Sequence, residues 1–198
     1  VMAPLENTAN LRRRYKDVDA IVSCGDMPGT YLDFISTILG KPLLYVRGNH
    51  DEMYDTTPPG GTNLHENYVE FMGVSFIGLE GSIRYNRGKI QYTQMEMRAK
   101  VLRLAPHLRW RRWRKGYGVD VFVAHSPPRG IHDIEDDYPH RGFDAFINFM
   151  DWYRPRYMLH VHTWDRRKET DTQYKATRVI NVNPYMVLEI DPIVGEDA

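Results

Sequence analysis

Apolar, β-branched runs alternate along the chain with stretches whose apolar residues fall at helical spacing. Asp19-Ala20-Ile21-Val22-Ser23-Cys24 reads as a buried strand that stops at Gly25-Asp26. Tyr31, Phe34, Ile35, Ile38 and Leu39 then mark a helix that Gly40 should end. Pro42 to Val46 is the next strand, and Tyr68–Phe71 with Val74–Leu79 predicts a hairpin about Met72-Gly73. A basic helical stretch from Thr93 to about Lys115 is interrupted by Pro106. Val119 to Ala124 is another buried strand, and Phe143 to Tyr153 a helix closed by Pro155. Tyr157–His162 and Val179–Val182 complete the strands, with Tyr185–Ile190 expected to pair beside the last. Strands alternating with helices predict an α/β layered fold, and the late hairpins a mixed sheet.

Composition narrows this picture. A length of 198 residues fits one domain over 1–198, and 42% hydrophobic with 12% aromatic residues suffices for a sizeable core. Lysine plus arginine equals aspartate plus glutamate at 26 each, so net charge gives no pull toward nucleic acid or membrane. No apolar run approaches the length of a bilayer span, and no signal-peptide pattern is read. The single cysteine, Cys24, fits core packing in a reducing compartment, so a cytoplasmic location is expected.

Polar groups gather where the strands end. Asp26, the run Asn49-His50-Asp51, His125 and the pair His160/His162 each follow or close an expected strand. In open α/β sheets those ends line one edge, where ligands bind. Alternate residues of an extended segment share a side, so His160 and His162 are expected to face one cavity. Each histidine alone is better explained by a structural hydrogen bond. Imidazole, carboxylate and amide oxygen together suit manganese, iron, zinc or nickel.

Gly25-Asp26, Gly48-Asn49-His50-Asp51, His125 and His160-Val161-His162 resemble the calcineurin-like metallophosphoesterases, whose pattern is D-x-H, G-D, G-N-H-D/E, H and G-H-x-H. Order and rough spacing agree from about residue 19 to about residue 190. The resemblance implies a four-layer α/β/β/α sandwich of two mixed sheets and a two-metal site, manganese favoured, that hydrolyses a phosphate mono- or diester. Asp26 would bridge both ions. Asn49, His125 and His160 would complete one shell, and His162 would bind the other ion. His50 would be the proton donor to the leaving group, with Asp51 orienting its ring. The substrate would be a phosphate-ester small molecule or nucleotide. Two departures stand out. No D-x-H precedes Asp26, which leads to the expectation of a first strand before Val1 with Met2 at the histidine position. Leu159 also stands where the family has glycine. The competing class is a degenerate member with one ion or none, acting as a binding or scaffold module.

Two further segments carry candidate chemistry. Leu108–Gly118 interleaves arginine with tryptophan, which suits nucleic acid, but Met97, Val101, Leu104 and Leu108 share one face and favour a packed helix. The polar segment His125–Phe143 offers Arg129, His132, His140 and Arg141 to a substrate, Arg129 and His140 foremost. Its acidic run Asp133–Asp137 suits cations or a solvated loop.

Overall fold

The computed structural model describes residues 8–163 and 170–192. Helix α1 (Thr8–Arg14) precedes strand β1 (Ile21–Ser23), helix α2 (Gly29–Leu39) and strand β2 (Leu43–Tyr45). As the periodicity predicts, α2 ends at Gly40, whose left-handed backbone (φ 63°) lets its N–H reach the last carbonyls. Strand β2 runs parallel to β1, and β3 (Thr62–Asn63) joins them in a three-stranded sheet.

The second sheet is six-stranded and mixed. Its order is β10 (Asp171–Tyr174), β11 (Thr177–Asn181), β9 (Tyr157–His160), β8 (Val121–Ala124), β5 (Val74–Leu79) and β4 (Val69–Phe71). The four central strands are parallel, and the hairpins β4–β5 and β10–β11 supply the antiparallel edges. A small pair, β6 (Ser82–Ile83) with β7 (Gln91–Tyr92), leads into the helices.

Strand alternation builds the layers. Leu44, Val46, Phe76, Val121, Val123, Leu159 and Ile180 form the core between the two sheets. Leu43 and Tyr45 face the other way, onto Leu32 of α2. Ile77, Leu79, Phe122, Ala124 and Met158 leave the opposite face of the large sheet. They pack with Met97 and Val101 of α3 (Gln94–Arg103), Leu108 of α4 (Ala105–Lys115), and Phe146 and Phe149 of α5 (Asp144–Tyr153). Helix, sheet, sheet, helix is therefore the layering, as the resemblance implies. Cys24 lies in the inter-sheet core, where burial pushes its thiol up to about 12.

The interruption expected at Pro106 is present, and two other sequence expectations need correction. The basic stretch is two helices, because Pro106 lacks an N–H and fits only the first turn of a new one, α4. Thr93 caps α3 through a capping box with Glu96. Residues 185–190 form no strand; Leu188 and Ile190 instead pack against the inter-sheet core. The edge beside β11 is taken by β10, whose polar Asp-Thr-Gln-Tyr gives no apolar strand signal. Finally, β9 ends at His160, and His162 has a left-handed backbone (φ 64°). The alternation rule stops there, so His160 and His162 take different partners.

Candidate metal centre

Two loops meet at the end of the three-stranded sheet. Gly25 and Gly48 touch backbone to backbone: a Cβ on Gly25 would lie 2.3 Å from the Gly48 nitrogen. A Cβ on Gly48 would lie 1.9 Å from Asp26 Oδ1. Both glycines are therefore required by close approach. Asp26, itself left-handed (φ 56°), accepts the His50 N–H at 3.1 Å through Oδ1. Asp51 is buried, and its Oδ2 accepts the N–H of Gly48 at 2.7 Å and of Asp26 at 2.8 Å. Burial raises its carboxyl to about 6 against the lowering effect of those two bonds. Asp51 thus ties the two loops together. The hydrogen bonds that its Oδ2 accepts are to main-chain N–H groups, and His50 stands exposed beside it.

Asn49 is 4% exposed. It donates through Nδ2 to the Tyr85 hydroxyl at 3.1 Å, leaving Oδ1 3.1 Å from His125 Nε2. His125 follows β8 and is fully buried. Its Nδ1 lies 2.8 Å from the Cys24 carbonyl. Its Nε2 lies 2.9 Å from His162 Nδ1 and 3.5 Å from Asp26 Oδ2. His162 Nε2 in turn lies 2.9 Å from the Pro139 carbonyl. A carbonyl can only accept, so the outer nitrogen of each ring carries the hydrogen. In neutral rings His125 Nε2 and His162 Nδ1 then present lone pairs to each other, beside a carboxylate and an amide oxygen. Burial lowers both imidazoles, His162 to about 3, and so opposes a proton between them.

Acceptors gathered this way call for a cation. Asp26, His125 and His162 offer ligand atoms all within 4.8 Å of one another. Two donors each about 2.1 Å from one ion, at a right angle, lie about 3 Å apart. The separations of 2.9 to 3.5 Å within this group match. Two imidazoles, a carboxylate and an amide oxygen suit a borderline divalent ion. The outer carbonyls and Tyr85 are the kind of partners that orient metal ligands.

His160 stands apart from this group. It is fully buried, with Nδ1 3.1 Å from the Val161 carbonyl and Nε2 2.9 Å from His132 Nδ1. His132 (φ 61°) is anchored by Thr172 Oγ1 at 2.9 Å. His132, expected as a substrate contact, instead occupies the nitrogen His160 would offer to an ion. His140 does reach the group. Its ring lies 4.9 Å from that of His162, and its Nδ1 is 2.6 Å from Asp137 Oδ2. Arg129 turns to its own loop, with Nη2 2.8 Å from Glu135 and Nε 3.9 Å from Asp133. The acidic run is loop scaffolding: Asp133 accepts the N–H groups of Gly130 and Gly142 at 3.0 Å each. Tyr85 and the Pro139 carbonyl had no signal in the sequence, since a lone tyrosine and a backbone oxygen belong to no pattern. Val1 and Met2 lie outside the described residues.

Fold and centre together define an α/β protein of two packed sheets with a histidine-rich group able to hold a metal at their shared edge. The chain belongs to the calcineurin-like phosphoesterase family, whose profile matches residues 3–164. That family is metal-dependent and acts on phosphate esters. Among solved structures, TT1561 of Thermus thermophilus is similar in fold, with a TM-score of 0.56 and 16% identity over 88% of this chain and 80% of that one. A second crystal structure gives a TM-score of 0.52 and 17% identity over 78% of this chain. The chain spans 62% of the length of that second relative. No curated protein matches the sequence significantly.

Proposed function

We propose that the protein hydrolyses a phosphate mono- or diester at the group formed by Asp26, Asn49, His125 and His162. The observation that carries this reading is the 2.9 Å approach of His125 Nε2 and His162 Nδ1, two rings whose outer nitrogens each face a main-chain carbonyl. These four residues would hold a divalent ion, manganese favoured. Such an ion supplies Lewis acidity toward a phosphoryl oxygen and lowers the pKa of bound water. Tyr85 holds the Asn49 amide so that its oxygen faces inward. Asp51 fixes the loop pair, and with it Asp26. His50, exposed at the rim with its N–H on Asp26, gives a proton to the leaving ester oxygen. His140, held by Asp137, flanks His162 and meets the phosphate's oxygens.

A two-ion site needs a second shell sharing Asp26. Among the described residues, Asp26, His125 and His162 are the one convergent group of histidine, cysteine and acidic ligands. His160 would join a second shell only by leaving His132. That engagement favours, as the second reading, a member holding a single ion and working as a binding module. The two readings part in one assay. Purified protein supplied with manganese hydrolyses an aryl phosphate mono- or diester, and His50→Ala abolishes it by two orders of magnitude or more. Stoichiometric manganese binding with no hydrolysis supports the binding module. Hydrolysis unchanged in His50→Ala removes His50 from the reaction.

A further inference from the structure

A cleft of about 290 Å³ opens between β6, the starts of α3 and α5, and the loop that follows His125. Ile83, Tyr138, Arg129, Arg141 and Asp144 line it. Both of its walls belong to segments that also reach the metal group. On one side, Ile83 is two residues from Tyr85, whose hydroxyl accepts from Asn49. On the other, Tyr138 adjoins Pro139, whose carbonyl accepts from His162, and His140, whose ring flanks it.

We infer that this cleft seats the alcohol part of the substrate, and that Arg141 grips a second oxyanion, carboxylate or phosphate, carried on it. The inference rests on the phosphoesterase reading above. Arg141 is held in place by its own loop: Nε donates to the Glu135 carbonyl at 2.7 Å, and the guanidinium lies 5.3 Å from the centre of the Tyr138 ring. Among the described residues, no hydrogen bond or ion pair engages its two terminal nitrogens. They form the planar fork that pairs with an oxyanion through two parallel hydrogen bonds. Arg129 is already neutralised by Glu135, so Arg141 is the cation left to a ligand. Asp144 opposes an anion, but it is the first residue of α5, where the helix dipole offsets a negative charge. Its N–H is fixed by Gln94 Oε1 at 3.0 Å, and Gln94 Nε2 donates to the Gly142 carbonyl at 3.0 Å, so the floor is rigid. Ile83 and the Tyr138 ring give the cleft apolar walls that suit a ring between the two phosphate-binding ends.

Equilibrium binding to the manganese-loaded protein tests this. The probes are the non-hydrolysable phosphonates 4-carboxybenzylphosphonate, 1,4-xylylene bisphosphonate and the neutral isostere 4-carbamoylbenzylphosphonate. The carboxylate or the bisphosphonate binds about tenfold tighter than the carboxamide, as a charge-assisted bidentate contact would give; whichever gains more names the oxyanion. Arg141→Ala erases the preference and Arg141→Lys keeps part of it. Equal affinities in the wild type, or a preference that survives Arg141→Ala, overturn the assignment. Hydrolysis of phenyl phosphate or phenyl methyl phosphate by the wild type separates the two levels. If it occurs without the preference, only the cleft assignment fails; if it is absent with every ester, the phosphoesterase reading fails and takes the cleft with it.

Discussion

His125 Nε2 and His162 Nδ1 face each other at 2.9 Å while the outer nitrogen of each ring is spent on a main-chain carbonyl. Hydrogen bonding alone leaves that pair unsatisfied unless a proton or cation enters, and burial disfavours the proton. Asp26 and Asn49 add two more acceptors.

Gly48→Ala places a methyl on the Asp26 carboxylate. Asp26 must then move, main chain as well as side chain, because the methyl would also lie 2.6 Å from its main-chain nitrogen. Manganese affinity falls by at least tenfold, the scale seen when ligand orientation is lost. Circular dichroism of the metal-free variant matches the wild type. Calorimetric titration checks the affinity, and an unchanged constant would mean that Asp26 is not a ligand.

Asp51→Ala removes the acceptor shared by the N–H groups of Gly48 and Asp26. Each donor left without a partner costs about 1–3 kcal/mol. Asp51→Asn keeps an oxygen acceptor and loses less. Urea unfolding of both variants gives the comparison. A role confined to orienting His50 would leave both as stable as the wild type.

His132→Ala strips the partner from buried His160 Nε2. Stability falls by about 1–3 kcal/mol, while affinity for the first manganese stays within a few-fold, because His160 lies outside the convergent group. A large loss of that affinity would return His160 to the first ion's shell.

Stability of the metal-free protein depends on pH in a stated direction. Burial depresses His65 to about 4, and His160 and His162 each to about 3. The unfolded rings titrate near 6.5. Between those values the unfolded chain binds more protons, so stability rises with pH. It is fully present above about 6.5 and is lost as pH falls toward about 3 to 4. Thermal melts at pH 7.5, 6 and 5 show a stepwise fall in Tm. A Tm that holds or rises on acidification runs against these burial assignments.

The layers were readable because burial leaves periodic traces. Val121–Ala124 and Leu43–Val46 announce core strands, and Gly40 and Pro106 mark where helices end and start. The convergence of Asp26, Asn49, His125 and His162 was readable, since those residues fall at strand ends. What failed was local. The step from His160 to His162 crosses a left-handed residue, which no alternation rule foresees. Asp51 could serve His50 or the backbone equally well by position, and its partners depend on how closely Gly25 and Gly48 approach. The strand Asp171–Tyr174 is a polar edge whose pairing comes from its hairpin rather than from burial. His132 finds His160 across 28 residues, a contact made by tertiary folding alone.

On the proposed reading, phosphate-ester hydrolysis depends on a divalent ion held by Asp26, Asn49, His125 and His162. Phosphate-ester cleavage by chelator-stripped protein, followed as manganese is added back, measures that dependence. The expected result is no turnover when stripped, recovery that saturates with manganese, and no recovery in His162→Ala at the same concentrations. Turnover that survives stripping, or full recovery in His162→Ala, would contradict the claim.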